Sequence, residues 1–153
     1  MARTDSLTGL ANRRAWDEEL RREFERARRS GHQLHVAMVD LDGFKQFNDE
    51  RGHQAGDDLL REIGAEWRLI ARVTDLIARY GGDEFAVLLP NCTPESAHAV
   101  VERLRAVLPR GVSCCAGLAR WDGQMTAEEL MARADVSLYA AKTAGGNRIT
   151  GAS

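Results

Sequence analysis

The string Arg79-Tyr80-Gly81-Gly82-Asp83-Glu84-Phe85 lies between two short apolar runs, Leu76-Ile77-Ala78 and Ala86-Val87-Leu88-Leu89-Pro90. Two such runs joined by a glycine pair read as a β-hairpin. A hairpin makes part of any sheet antiparallel, which sets this chain apart from doubly wound, all-parallel nucleotide folds. The tip carries more than a turn needs. Glycine supplies backbone angles that other residues resist, but no turn requires two adjacent carboxylates. Glycines also let another group approach the backbone, and carboxylates hold hard cations through oxygen. Taken alone, the string is better explained by a solvated acidic turn. A phosphate-and-metal site there needs support from the rest of the chain.

That support depends on what surrounds the hairpin. From Arg13 to Ser30, the residues Trp16, Leu20, Phe24 and Ala27 recur at helical spacing on an otherwise charged, solvated segment. Asn12 or Asp5 can cap this helix, and Gly31 ends it. Leu34 to Asp42 is apolar and β-branched at its centre, a buried strand that ends in two acids, Asp40 and Asp42. Two residues apart, they would share one face if the strand continued. A short helix over 43–51, with Phe44 and Phe47 on one side, is followed by an expected break over Gly52-His53-Gln54-Ala55-Gly56. A second long helix over 57–73 is marked by Leu59, Leu60, Ile63, Trp67 and Ile70.

Beyond the hairpin, Thr93-Pro94-Glu95 starts a helix with Thr as cap and Pro at the first position; Pro109 stops it. A strand of small residues over 111–118 leads to the capping box Thr126-Ala127-Glu128-Glu129 and a helix to about Thr143. Gly145-Gly146 closes that helix, and 148–150 forms an edge strand. With no linker, repeat or low-complexity tract, residues 1–153 read as a single α+β domain: one mostly antiparallel sheet with helices packed against it.

Composition removes several functions. A net charge of −2 across 153 residues gives no basic face for DNA or RNA. No apolar run reaches membrane-spanning length, and Met1-Ala2-Arg3 does not open a signal peptide. Cys92, Cys114 and Cys115 are odd in number and lack metal-ligand spacing, so reduced, buried thiols in a cytoplasmic protein are expected. Asp40-Leu41-Asp42-Gly43 opens like a calcium loop but lacks its later ligands. There is no P-loop, no Gly-x-Gly-x-x-Gly and no Gly-x-Ser-x-Gly elbow.

The acids can instead act together. If the strand ending in Asp40 neighbours the hairpin, Asp40, Asp83 and Glu84 meet at one edge of the sheet. Clustered oxygen donors suit Mg²⁺ or Mn²⁺, whose shell is commonly shared with substrate phosphates. Lys45, Lys142 and Arg148 are candidates to meet those phosphates. Asn48 and Asp57 offer the groups a purine edge needs.

Gly81-Gly82-Asp83-Glu84-Phe85 resembles the hallmark string of the GGDEF domains, the diguanylate cyclases. The resemblance covers nearly the whole chain. Asp5-Ser6-Leu7-Thr8-Gly9-Leu10-Ala11-Asn12-Arg13-Arg14 is similar to the family's opening motif. Asp40-Leu41-Asp42-Gly43-Phe44-Lys45 with Asn48-Asp49 is similar to its metal strand and following turn. Gly52-His53-x-x-Gly56-Asp57-x-Leu59-Leu60 is similar to its guanine-side motif. Ala134-Asp135-x-x-Leu138-Tyr139-x-Ala141-Lys142 is similar to its last helix.

The resemblance implies a palm-like sheet similar to nucleotidyl cyclases and polymerases, and condensation of two GTP into cyclic di-GMP across a two-fold dimer of GGDEF copies. It implies metal on Asp40, the Leu41 carbonyl and Asp83, and Glu84 at the catalytic centre. Gly81 and Gly82 would lie under GTP, with Asn48 and Asp57 on the guanine and His53 nearby. Phe44 and Lys45 main-chain groups, the Lys142 side chain and Arg148 would hold phosphates.

Arg72-Val73-Thr74-Asp75 precedes Gly81 by six residues and resembles the family's inhibitory Arg-x-x-Asp site for the cyclic product, with Arg103 as a helper from a neighbouring copy. The plain alternative is an i,i+3 pair at a helix end. Two positions depart from the family pattern: Gly146 stands where an Arg is expected on the terminal phosphates, and Cys115 stands where a Ser is usual. The Gly146 change leaves a second reading open, a weakly catalytic module that senses GTP or cyclic di-GMP. Because the chain starts almost at the opening motif, a domain cut from a longer regulator is expected.

Overall fold

A computed structural model describes residues 2–151. The elements follow the expected order: α1 (Arg13–Ser30), β1 (Leu34–Leu41), α2 (Phe44–Arg51), α3 (His53–Ile70), β2 (Leu76–Arg79), β3 (Glu84–Pro90), α4 (Pro94–Ala106), β4 (Cys114–Arg120), α5 (Ala127–Thr143) and β5 (Arg148–Gly151). The local signals act as read. Asn12 accepts from the Ala15 amide at the start of α1, and Gly31 turns left-handed at its end. Thr126 and Glu129 form a complete capping box on α5. Several boundaries differ: α3 ends at Ile70 rather than at 73, and β4 runs Cys114–Arg120 rather than over 111–118. The break after α2 is Gly52 alone, with φ 91°, and helix resumes at His53. A single residue in that conformation suffices to turn the chain, so Gly56 stays helical.

The five strands lie in the order β2-β3-β1-β4-β5. All neighbours are antiparallel except β4 and β5. This is the α+β, palm-like arrangement expected. β1 is central and almost wholly buried because both faces of the sheet are covered. Ala37, Val39 and Leu41 pack with Leu59, Ile63 and Trp67 of α3 and Leu104 of α4. Leu34, Val36 and Met38 pack with Trp16, Leu20 and Phe24 of α1 and Leu130, Ala134 and Leu138 of α5. The alternation of a strand thus feeds two cores.

α5 lies very close to the sheet. A Cβ at Gly117 of β4 would stand 2.1 Å from the Leu138 nitrogen. That approach brings the end of α5 over the end of β1. Among the described residues, no helix is long and apolar enough to cross a membrane.

Candidate active site

β1 and β3 are neighbours, and their register sets Asp40 opposite Glu84. The Leu41 amide donates to the Asp83 carbonyl at 3.2 Å. The Asp83 and Asp40 carboxyls are close enough to interact, so burial first and then the Asp40 charge push the Asp83 carboxyl above its usual range. Asp40 Oδ2 accepts from Lys142 Nζ. Asp40 Oδ1 is buried and has no partner. A buried carboxylate oxygen left unpaired is costly, and two carboxylates pressed together repel. Both conditions are relieved by a divalent cation, so these residues fit the implied metal. The convergence is narrower than expected. Among the described residues no three acid, His or Cys groups reach metal-binding spacing by themselves. Asp40 and Asp83 form the pair, with Glu84 across the ladder.

The hairpin glycines act differently from the turn argument. Neither Gly81 nor Gly82 adopts a positive φ. A Cβ on Gly82 would meet nothing within 4 Å. At Gly81 a Cβ would stand 2.6 Å from Glu84 Oε1, so glycine there makes room for that carboxylate, and Gly82 gives bare backbone open to an approaching group. The tip is held by residues the sequence reading passed over. Arg79 donates from Nε and Nη2 to the Gly82 carbonyl at 3.1 and 3.0 Å, and from Nη1 to Asp5 at 3.4 Å. Burial opposes ionisation of Asp5, but donors from Thr8 and Arg79 hold its carboxyl below the usual range. The Asp5-x-x-Thr8 spacing, with both Thr8 donors on Asp5 Oδ2, was the available signal.

On the guanine side, Asn48 of α2 faces Gly56 of α3, where a Cβ would stand only 1.8 Å from Asn48 Oδ1. That oxygen is buried and unpartnered. Asp57 follows Gly56 and is half-buried, while His53 is exposed in the first turn of α3. Gly43 precedes α2 in a left-handed conformation, and no side chain caps the helix. The first amides there, at Phe44 and Lys45, suit an anion. Lys45 itself is exposed.

The turn between α5 and β5 carries the departure at Gly146. Gly145, Gly146 and Asn147 have φ 119°, 80° and 48°. A Cβ at Gly146 would stand 3.3 Å from the Asp42 carboxylate, so a side chain there would be both strained and crowded. Arg148 folds back, its Nε donating to the Gly146 carbonyl at 2.9 Å. β1 ends at Leu41, so Asp42 lies in the turn beyond the strand and has partners different from those of Asp40. It accepts from Ser113 Oγ at 2.6 Å, Cys115 Sγ at 3.1 Å and the Asn147 amide at 2.9 Å.

At the far end of the sheet, the i,i+3 pair of the plain reading is formed. Arg72 Nη2 meets Asp75 Oδ1 at 2.7 Å and the Pro90 carbonyl at 3.1 Å. The Asp75 side chain is fully buried, while that of Arg72 is 43% exposed. The bond to Asp75 raises the Arg72 pKa. Arg103 points outward from α4 and is exposed.

Comparison with known proteins adds four findings. The family described as "Diguanylate cyclase, GGDEF domain" matches residues 2–148. The diguanylate cyclase DgcP of Pseudomonas aeruginosa is 43% identical over 158 residues, covering 97% of this chain and 24% of that protein. The probable diguanylate cyclase DgcE of Escherichia coli is 39% identical over 158 residues, covering 95% of this chain and 14% of that protein. Among solved structures, the GGDEF domain of DgcB from Caulobacter crescentus, in complex with c-di-GMP, superposes with a TM-score of 0.92 at 35% identity. That match covers 98% of this chain and 93% of that one. The chain therefore spans a quarter or less of these two curated relatives.

Proposed function

Because the chain belongs to the GGDEF family of diguanylate cyclase domains, we propose that residues 1–153 act as one catalytic domain that binds GTP and, facing a second copy, condenses two GTP into cyclic di-GMP. The observation that carries this reading is the Asp40–Asp83 pair, with its unpartnered Asp40 oxygen, on the hairpin whose Gly82 backbone is bare. A ribose 3′-hydroxyl attacks the α-phosphorus of the other GTP and displaces pyrophosphate; the second, symmetric attack closes the ring. Two-fold symmetry makes the half-sites equivalent.

Mg²⁺ or Mn²⁺ on Asp40, Asp83 and the Leu41 carbonyl would activate that hydroxyl and neutralise charge at phosphorus. Asn48 and Asp57 read the guanine, with His53 at the rim of the same helix pair. The amides of Phe44 and Lys45 hold phosphate oxygens. Lys142, already drawn to this edge by Asp40, turns to the phosphates when GTP enters. Arg148 supplies the charge that Gly146 lacks, and Glu84 stands at the reacting centre. Arg72 and Asp75, with Arg103 from a neighbouring copy, form a product-binding site that lowers turnover.

The test is incubation of concentrated protein with GTP and Mg²⁺, with separation of nucleotides by chromatography. Cyclic di-GMP should appear at a rate that rises faster than linearly with protein concentration. A second reading, a sensor of GTP or cyclic di-GMP, draws on Gly146; no product but calorimetric binding of either nucleotide would favour it. Binding of neither would end both readings.

A further inference from the structure

Asp42 sits two residues beyond Asp40, yet both of its oxygens are already engaged by three protein donors from two segments: Ser113 and Cys115 around the start of β4, and the Asn147 amide. We propose that Asp42 is a positioning residue for the terminal phosphates of the nucleotide: its carboxylate fastens the Gly145–Arg148 turn to the end of β1. The ligand in this proposal rests on the cyclase reading above.

Three observations support it. The turn is left-handed at three successive residues, one of them Asn147, whose φ is 48°. Gly145 and Gly146 take these angles without steric cost, but Asn147 carries a side chain there and keeps the conformation only where its surroundings hold it. The Asn147 amide bond to Asp42 is one fastener. Arg105 Nη1, donating to Asn147 Oδ1 at 2.6 Å, is the other, and Arg105 is itself gripped by Glu102 of α4. Finally, Gly146 packs directly on the Asp42 carboxylate.

The consequence is geometric. Lys142, in the last turn of α5 just before this turn, already reaches Asp40, and Arg148 starts β5 just after it. One strand end therefore sets the acid pair through Asp40 and the cationic turn through Asp42. Misplacement by about 1 Å between such groups costs on the order of 100-fold in rate.

Calorimetric titration of the whole protein with GTP and with GMP, both in Mg²⁺, reads the phosphate-dependent part. Asp42→Ala should weaken GTP binding tenfold or more and GMP binding less than threefold. Asp42→Asn keeps a carbonyl acceptor for Asn147 and should stay within threefold for GTP. Equal loss of both nucleotides in Asp42→Ala would overturn the proposal, as would an Asp42→Asn variant as damaged as Asp42→Ala, because charge rather than fastening would then matter.

Amide exchange needs no nucleotide. The Asn147 amide should exchange at least tenfold faster in Asp42→Ala and at the original rate in Asp42→Asn; continued protection in Asp42→Ala overturns the fastening. If Asp42→Ala does not fold, Arg105→Ala frees the same turn from outside and should weaken GTP about threefold with GMP unchanged; no change in GTP overturns the proposal. Unaltered protein that binds no GTP refutes the cyclase reading and the phosphate role with it, while exchange still judges the fastening.

Discussion

The two ends of β1 treat buried polar atoms in opposite ways. At the C-terminal end, Asp40 Oδ1 has no partner, its neighbour Asp83 bears the same charge, and the Asp40 side chain keeps 14% of its surface open. At the N-terminal end, His35 is sealed completely, with Nδ1 3.7 Å from Cys92 Sγ and Nε2 unpartnered. Close by, Arg72 and Asp75 satisfy one another and the Pro90 carbonyl. An unpaired atom beside an opening can be completed by a ligand. One inside a core can only be tolerated in its neutral form. The comparison separates an unpaired group that points to chemistry from one that is a cost of folding.

The sharpest way to break this contrast is to remove a member of the acid pair. Asp83→Ala should lower cyclic di-GMP formation by roughly 10³-fold, since a bound divalent cation supplies several kcal/mol at a phosphoryl centre. Its melting temperature should hold or rise without Mg²⁺, because a like-charge contact has been removed. Addition of Mg²⁺ should raise the melting temperature of the unaltered protein more than that of Asp83→Ala. A variant that retains its full rate would remove Asp83 from the site.

Next in size is acid stability, where the ends oppose each other. Burial, helped by Arg120 and opposed by Glu95, lowers the His35 pKa from 6.5 to about 4. The unfolded chain therefore takes up this proton first. Stability supplied by the neutral imidazole is complete above pH 6.5 and is lost as pH falls toward 4, by about 3 kcal/mol at most. Asp83 runs the other way. Its folded pKa is raised above 3.8, so acidification through that value relieves the acid pair. His35→Phe should flatten the decline in denaturant midpoint between pH 6.5 and 4. An unchanged slope would mean that the imidazole is not the group being charged.

A smaller effect is expected at the paired cation. Arg72→Ala should cost about 1–3 kcal/mol, because Asp75 keeps only the backbone amide of residue 72 as donor. It should also relieve inhibition by added cyclic di-GMP. Arg72→Lys retains charge without the planar fork and should fall between the two. Inhibition that persists in Arg72→Ala would place product binding elsewhere.

Much of this was legible in the sequence. Caps, periodicity and the glycine–glycine string set the order of elements, and Asp40 and Asp83 pair, with Glu84 across the ladder, because a hairpin neighbours a strand that ends in an acid. What stayed hidden depends on register and on loops. The partner of Asp42 is an amide 105 residues away, and Arg79 joins Asp5 across 74 residues; no local pattern encodes either. The helical state of His53 was masked by two nearby glycines, of which only Gly52 bends the chain. Of the two reasons for glycine at Gly81 and Gly82, special backbone angles and room for an approaching group, neither position uses the first.

The smallest test lies at Cys115, where a Ser was expected. Burial, then the Asp42 contact, push the thiol up to about 11. It is therefore protonated at neutral pH and can only donate to Asp42 Oδ1. A hydroxyl donates more strongly than a thiol but fills less of a core in which Cys115 is fully buried. The two effects offset, so Cys115→Ser should change stability by less than about 1 kcal/mol and should leave GTP affinity nearly unchanged. The thiol should resist alkylation in the folded protein, since the thiolate is the reactive form. Rapid modification of Cys115 would mean that the Asp42 cluster opens readily, and the contrast drawn between an open acid end and a closed core would then have to include a mobile edge.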